Sequence, residues 1–361
     1  MSRFFSAKYR ELEPYTPGEQ PGERKFIKLN TNESPYPPSA RVAERVREEA
    51  GRLNLYSDPE SRKLREKLAD VLGLGPENLI MTNGSDEALN FAFMAFCDRE
   101  HPAVFADITY GFYPVFAKIN LVPWREIPLR EDLTLDPADY AYAGGTIFIA
   151  NPNAPTALAL SREEIRRILE ANRDQVVVID EAYVDFGAES CVPLIREYDN
   201  LLVTQTFSKS RSLAGLRLGF GVACEALIQD LKTVQYSTNP YNVDRLASAA
   251  GVACLKQDGY NLDNARTIAE TRGWTAARLQ KMGFEMTDSR TNFLFARHAA
   301  FPGDSLYRLL RERGILIRHF SVERIRDWNR ITIGTREQME TLVETVAALL
   351  KEKSGVRFCE E

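Results

Sequence analysis

The order of apolar and polar positions divides the chain into alternating elements. LIMT (Leu79 to Thr82), AVFAD (Ala103 to Asp107), TIFIA (Thr146 to Ala150), VVVID (Val176 to Asp180) and LLVTQT (Leu201 to Thr206) are short, nearly unbroken apolar runs. Such runs predict strands buried on both faces. Between them lie segments with apolar residues at helical spacing, among them SDEALNFAFMAF and SREEIRRILEAN, and two more, ARVAERVREEAGRL and ESRKLREKLADVLG, come before the first strand. The alternation predicts an α/β fold with a mostly parallel central sheet covered by helices.

Two regions depart from that rhythm. After about residue 260 a long charged helix, ARTIAETRGWTAARLQKMG, leads to NFLFAR, a helix SLYRLLRERG, strands ILIR and RITIG, and a last helix EQMETLVETVAALLKEK. That grouping predicts a smaller α+β unit. The first 35 or so residues are rich in Pro, Gly and charge and end in LNTNESPYPP, which predicts an extended arm. The expected division is an arm over 1–35 packing with the small domain, a large domain over 36–260 and a small domain over 261–361.

Composition narrows the partners. The formal net charge is −5 and no segment is dominated by Lys or Arg, so nucleic acid and anionic membrane are poor matches. The opening MSRFFSAKYR lacks the apolar core of a signal peptide and no apolar run is long enough to span a bilayer, so the expected location is cytoplasmic. Cys97, Cys191, Cys224, Cys254 and Cys359 are scattered without CxxC spacing and read as reduced thiols. His101, His298 and His319 form no helical HxxxH pair, so no metal site and no histidine-based triad is expected.

In open parallel sheets, ligands bind beyond the carboxyl ends of the strands. LIMT is followed by Asn83-Gly84-Ser85-Asp86-Glu87, a helix start whose free N–H groups can hold an anion. AVFAD leads to Tyr110 in a Gly-containing loop, a flat face for stacking. TIFIA leads to NPNAPTA, a polar loop with two prolines. VVVID ends in Asp180, a carboxylate after buried valines that needs a cation, with the phenol of Tyr183 three residues on. LLVTQT leads to FSKSRSLAGLRLGF, which carries Ser208, Lys209 and Arg217. An anion cradle, a stacking ring, a buried carboxylate, a phenol and a lysine together match pyridoxal 5'-phosphate: its phosphate, ring, pyridine nitrogen, phenolic oxygen and aldehyde.

NGSDE, DEAY after a valine run, SKSRSLAGLRLGF and RITIGTREQ together resemble the fold-type I, aspartate-aminotransferase-like enzymes, and within them the histidinol-phosphate aminotransferase family. The resemblance runs nearly end to end. It implies a pyridoxal-phosphate enzyme that moves an amino group from histidinol phosphate to 2-oxoglutarate, acting as a homodimer with shared active sites. It implies that Lys209 bonds the cofactor aldehyde, Asp180 pairs with the ring nitrogen and Tyr183 reaches the phenolic oxygen. It places Tyr110 on the ring, Gly84, Ser85, Ser208 and Arg217 at the phosphate, and Asp86 among the cofactor-binding residues. Tyr56 matches a tyrosine that reaches the neighbouring subunit's cofactor. Arg330 matches the arginine that holds a substrate carboxylate, Tyr15 and Arg318 fall where the far, phosphorylated end of the substrate is held, and Asn32 is expected among the substrate-binding residues. Relatives commonly read NPNNPTG where this chain has Ala154 and Ala157; Asn153 is expected to take the missing Asn's place at the phenolic oxygen. The same cofactor residues also suit an aminotransferase for aromatic or other amino acids, or a threonine-phosphate decarboxylase-like lyase.

Overall fold

The five apolar runs lie in one seven-stranded sheet. The computed structural model describes residues 2–10, 12–22 and 25–354, and Cys359 lies outside them. The strands in chain order are β1 (Ile27–Lys28), β2 (Leu79–Thr82), β3 (Ala103–Ala106), β4 (Trp124–Ile127), β5 (Thr146–Ala150), β6 (Val177–Asp180), β7 (Leu201–Thr206), β8 (Gly219–Ala223), β9 (Phe284–Met286), β10 (Phe293–His298), β11 (Ile315–Leu316), β12 (Arg318–His319) and β13 (Asn329–Thr332). The helices are α1 (Ala40–Ala50), α2 (Arg62–Leu72), α3 (Ser85–Phe96), α4 (Tyr113–Asn120), α5 (Arg162–Ala171), α6 (Glu225–Thr238), α7 (Arg245–Leu255), α8 (Asp258–Lys281), α9 (Gly303–Glu312) and α10 (Arg336–Ser354).

The large sheet has the order β2-β8-β7-β6-β5-β3-β4. Its pairs are parallel except where β8 runs antiparallel to both β7 and β2. Since β2 and β7 both oppose β8, they run the same way as each other, and the carboxyl ends of β2, β3, β5, β6 and β7 share one edge. Alternate side chains enter opposite cores, because successive Cβ atoms on a strand point to opposite faces. Ile147, Ile149, Val177, Ile179, Leu201 and Val203 pack with residues of α2, α5 and α7. Phe148, Val178 and Leu202 pack on the other side with residues of α3, α4 and α6. Ser161 begins α5 with a reciprocal cap, its hydroxyl accepting from the Glu164 N–H while Glu164 accepts from the Ser161 N–H. Such a cap stabilises a helix start by about 1 kcal/mol.

A third apolar cluster joins α8, α9 and α10 to strands β9, β10, β11 and β13, and takes in Leu29 from the arm. The arm is tied there by β1, which pairs with β11 in parallel. The ILIR run is split: Ile315 and Leu316 pair with the arm, while Arg318 and His319 turn to pair with β13. Strand β8 was not among the expected runs. Its sequence, GFGVA, holds two glycines, and the first of them explains why. A Cβ on Gly219 would stand 2.4 Å from the Gly84 carbonyl carbon and 2.4 Å from the Ser85 nitrogen. Only glycine lets β8 back directly onto the start of α3.

Gly219→Ala should therefore destabilise the fold by roughly 1–3 kcal/mol, read as a lowered denaturation midpoint. Unchanged stability would mean that the close approach is absent.

Candidate active site

The shared edge opens into a cavity of about 610 Å³. Its lining includes Tyr15, Asn32, Ser85, Asp86, Tyr110, Asp180, Tyr183, Ser208, Lys209, Arg217, Arg318 and Arg330. The parallel strands deliver their following loops, with Ser85 to Arg217, to that edge, and the arm and strands β12 and β13 bring Tyr15, Asn32, Arg318 and Arg330 to the same space.

One end of the cavity is built for an anion. Gly84 precedes α3 with φ +76°, and no side chain caps the helix. The N–H groups of its first turn face the cavity end with the positive pole of the helix behind them. A Cβ on Gly84 would lie 2.7 Å from the Arg217 Nη2, so glycine also admits the guanidinium. Arg217 donates from Nη1 to the Ser208 Oγ at 3.4 Å and from Nη2 to the Asp86 Oδ2 at 3.1 Å. The Tyr110 hydroxyl donates to the other Asp86 oxygen at 2.7 Å. Burial, with the Asp86 charge adding to it, pushes the Tyr110 phenol well above its ordinary range, so it remains a donor. Asp86 thereby holds both the arginine and the aromatic face in place.

Asp180 closes β6 and is 5% exposed. Thr204, its register partner on β7, donates to Oδ1 at 3.3 Å, Tyr113 reaches Oδ2 at 3.5 Å, and the Ala182 N–H adds a third bond. All three donors are neutral, and no ion pair to Asp180 is formed among the described residues. Burial is the main reason its carboxyl is pushed up to about 7, and the negative charge of Asp86 adds to it. Lys209 follows β7, with its Nζ 3.3 Å from the Thr31 carbonyl and 5.7 Å from the centre of the Tyr183 ring.

The opposite wall carries cations. Arg318 and Arg330 are register partners on β12 and β13, so both side chains leave the same face of that sheet. Arg330 donates from Nη2 to the Asn30 carbonyl at 3.1 Å, but its buried Nε has no partner. Burial chiefly, with Arg318 contributing, pulls the guanidinium below its ordinary range. Arg318 donates to the carbonyls of Thr16 and Pro17 and so fastens the arm at the mouth. Tyr15 packs there on Phe112, ring centres 4.3 Å apart.

Three expected residues sit differently. Asn153 is a correction: its Nδ2 donates to the Ile108 carbonyl and the Thr156 hydroxyl, and its Oδ1 accepts from Thr109. It lines a separate, mostly apolar cavity of about 130 Å³, and the neighbour that faces the large cavity is Ala154. Both X–Pro bonds of this loop, Asn151-Pro152 and Ala154-Pro155, are cis. Asn32 lines the cavity, yet its Oδ1 is occupied by the Thr332 hydroxyl and its Nδ2 by Tyr183. Tyr56 does not line the cavity; it is 79% exposed and stacks on Tyr241 at 4.5 Å. Thr204, Tyr113 and Thr332 were missed. Strand register brings Thr204 to Asp180, and register has no signature in a single sequence.

A buried carboxyl with neutral donors only, a buried guanidinium whose Nε is unpartnered, an amine hydrogen-bonded to a backbone carbonyl, and a helix start without a side-chain cap define a site for a ligand with both charge signs. The chain belongs to the aminotransferase class I and II family, whose profile matches residues 24–346. It is similar to histidinol-phosphate aminotransferase 1 of Bradyrhizobium diazoefficiens, at 46% identity over 350 residues, spanning 97% of this chain and 100% of that one. In fold it matches the histidinol-phosphate aminotransferase of Sinorhizobium meliloti, solved with pyridoxal-5'-phosphate, at TM-score 0.82 and 24% identity over 90% of this chain and 92% of that one. It matches about as well the L-threonine-O-3-phosphate decarboxylase of Porphyromonas gingivalis, at TM-score 0.79 and 22% identity over 90% and 100% of the two chains.

The Asp180 environment predicts an inverted stability effect. A carboxyl raised to about 7 in the fold binds more protons there than in the unfolded chain, where it titrates near 4. The contribution of Asp180 to the stability of the cofactor-free protein thus falls as pH rises from about 4 through 7. Asp180→Asn should stabilise the cofactor-free protein by roughly 1–3 kcal/mol at pH 8 and by almost nothing at pH 4. Glu181, also pushed up to about 7 by burial, is common to both proteins and cancels in the comparison. Denaturant melts of both proteins at the two pH values check this, and a pH-independent difference would contradict it.

Proposed function

We infer that the chain is a pyridoxal-phosphate-dependent aminotransferase that converts histidinol phosphate and 2-oxoglutarate to imidazole acetol phosphate and glutamate, a step of histidine biosynthesis. Nearly full-length identity to histidinol-phosphate aminotransferases supports the substrate pair. The observation that carries the chemistry is the buried Asp180 carboxyl without a cation, in one cavity with Lys209 and with Arg330, whose buried Nε is unpartnered.

The residues present fit the cofactor. Asp180 would pair with its protonated ring nitrogen and so regain the charged form that burial disfavours. The Gly84–Asp86 turn, Ser208 and Arg217 would hold its phosphate, and Tyr110 would lie on its ring. Pyridoxal phosphate, when bound, supplies an aldehyde that takes up the amino group and a ring that holds the electron pair released at the substrate carbon. Lys209 is the proposed base: its Nζ removes the proton from the substrate's amino-bearing carbon and returns it on the product side. Arg330 orients the carboxylate of 2-oxoglutarate or glutamate, and Arg318 and Tyr15, which line the same cavity, take the phosphorylated end of histidinol phosphate. The arm over the mouth excludes water from the reacting centre.

Tyr56 belongs to a second copy's site in this reading. It is exposed with Leu53 and Leu55 in the segment between α1 and α2 and lies outside the lining of its own cavity. A homodimer in which Tyr56 reaches the partner's cofactor phosphate uses that exposed group.

Since a decarboxylase shares the fold, the assay must read both reactions. Mixing the cofactor-loaded enzyme with histidinol phosphate should bleach its visible band faster than phenylalanine does, and 2-oxoglutarate should restore it. Carbon dioxide release from threonine phosphate, or a preference for phenylalanine, would overturn the substrate assignment. Arg330→Ala should lower kcat/KM for 2-oxoglutarate by about 100-fold or more, the scale of a charge-assisted bidentate contact. Equal loss with an uncharged amine donor would point to a structural role for Arg330.

A further inference from the structure

Tyr183 has one polar partner that fixes its behaviour. The Asn32 Nδ2 lies 2.9 Å from the Tyr183 hydroxyl, although the two residues are 151 positions apart. Asn32 itself is locked. It adopts φ +55°, a left-handed conformation that Asn tolerates better than most residues. Its backbone N–H donates to the Thr332 Oγ1 at 3.0 Å, and the Thr332 hydroxyl donates back to the Asn32 Oδ1 at 2.9 Å. Its carbonyl accepts from the Asn292 Nδ2 at 3.0 Å.

These bonds determine which way the amide points. Asn32 and Thr332 are 1% and 2% exposed, so the Thr332 proton needs an acceptor inside the protein. The Asn32 Oδ1 is the acceptor it has. Reversing the amide would put an NH2 group there and leave that buried proton without an acceptor. The NH2 group must therefore face Tyr183, whose oxygen accepts. With its oxygen used as acceptor by Asn32, the Tyr183 hydroxyl turns its own proton away, toward the cavity that Tyr183 lines. The apolar neighbours of the ring are Ala154, Ala157 and Phe293, and the Lys209 Nζ stands 5.7 Å from its centre.

We propose that Asn32, held by Thr332, is a positioning residue that aims the Tyr183 proton at the cofactor's phenolic oxygen, with only the Ala154 methyl on the flank. This rests on the cofactor assignment made above. A donor at that oxygen stabilises its anionic form and so lowers the proton affinity of the nitrogen that links the cofactor to Lys209. Accepting from Asn32 makes the Tyr183 phenol a stronger donor.

The test is a spectroscopic pH titration of the visible band of purified, cofactor-loaded enzyme. Tyr183→Phe should raise the midpoint by about one pH unit, the scale of one hydrogen bond to a charged group. Asn32→Ala should raise it in the same direction by a smaller amount. Ala154→Asn, which adds a donor on the flank, should lower it, and should restore part of the shift when combined with Asn32→Ala. A merely structural Asn32 would change the melting temperature without moving the midpoint. A midpoint that moves in Tyr183→Phe but not in folded Asn32→Ala overturns the proposal. No visible band in the wild-type protein would instead overturn the cofactor assignment on which it rests.

Discussion

A buried carboxyl without a cation is the constraint around which the site is arranged. Asp180 ends a strand whose other residues are valine and isoleucine, and its three donors are neutral. Asp86 makes ionisation harder still. A group in that position is stable either protonated or paired, and no side chain supplies the pair among the described residues. The carboxyl is therefore suited to a ligand that brings a cation to it. A protonated pyridine ring is a cation of suitable shape, since its flat faces suit the aromatic surface of Tyr110.

Unpaired charge of the opposite sign stands on the facing wall. Arg318 and Arg330 are opposite each other across two strands, a placement that like charges resist unless an anion lies between or beside them. Arg318 relieves part of that by binding arm carbonyls, which leaves Arg330 as the buried cation with an unpartnered donor. The two walls together favour a ligand pair that is cationic at one end and anionic at the other. Lys209 stands between them, its amine bound to one backbone carbonyl and close to the Tyr183 ring. In the proposed reaction that amine moves the proton, and its position follows from the loop after β7 and from the Thr31 carbonyl it meets.

Most of this framework could be read from the chain because its signals are local. LIMT, TIFIA and LLVTQT match β2, β5 and β7 to the residue, since an apolar run bounded by polar residues marks a buried strand. The loops after those strands then followed from topology, and with them Lys209, Asp180 and the start of α3. What escaped depends on contacts between distant segments. Strand β8 was hidden because Gly219, which serves a close backbone approach, and Gly221, which faces the Ile80 and Leu202 side chains, carry no apolar pattern. ILIR was read as one strand, although its two halves pair with different partners. Asn153 does not take the missing Asn's place, because the folded loop turns its amide into the Thr109 and Thr156 hydroxyls while Ala154 faces the cavity. The Thr332 contact to Asn32 spans 300 positions, beyond any sequence pattern.

The pairing of Asp180 with the ring nitrogen can be observed directly. The cofactor-loaded enzyme is prepared with pyridoxal phosphate labelled with nitrogen-15 in the ring, and the nitrogen's chemical shift is followed by NMR from pH 6 to pH 9. A protonated pyridine throughout the range, lost in Asp180→Asn, is the expected result. A neutral ring nitrogen in the wild-type enzyme at pH 7 would contradict it.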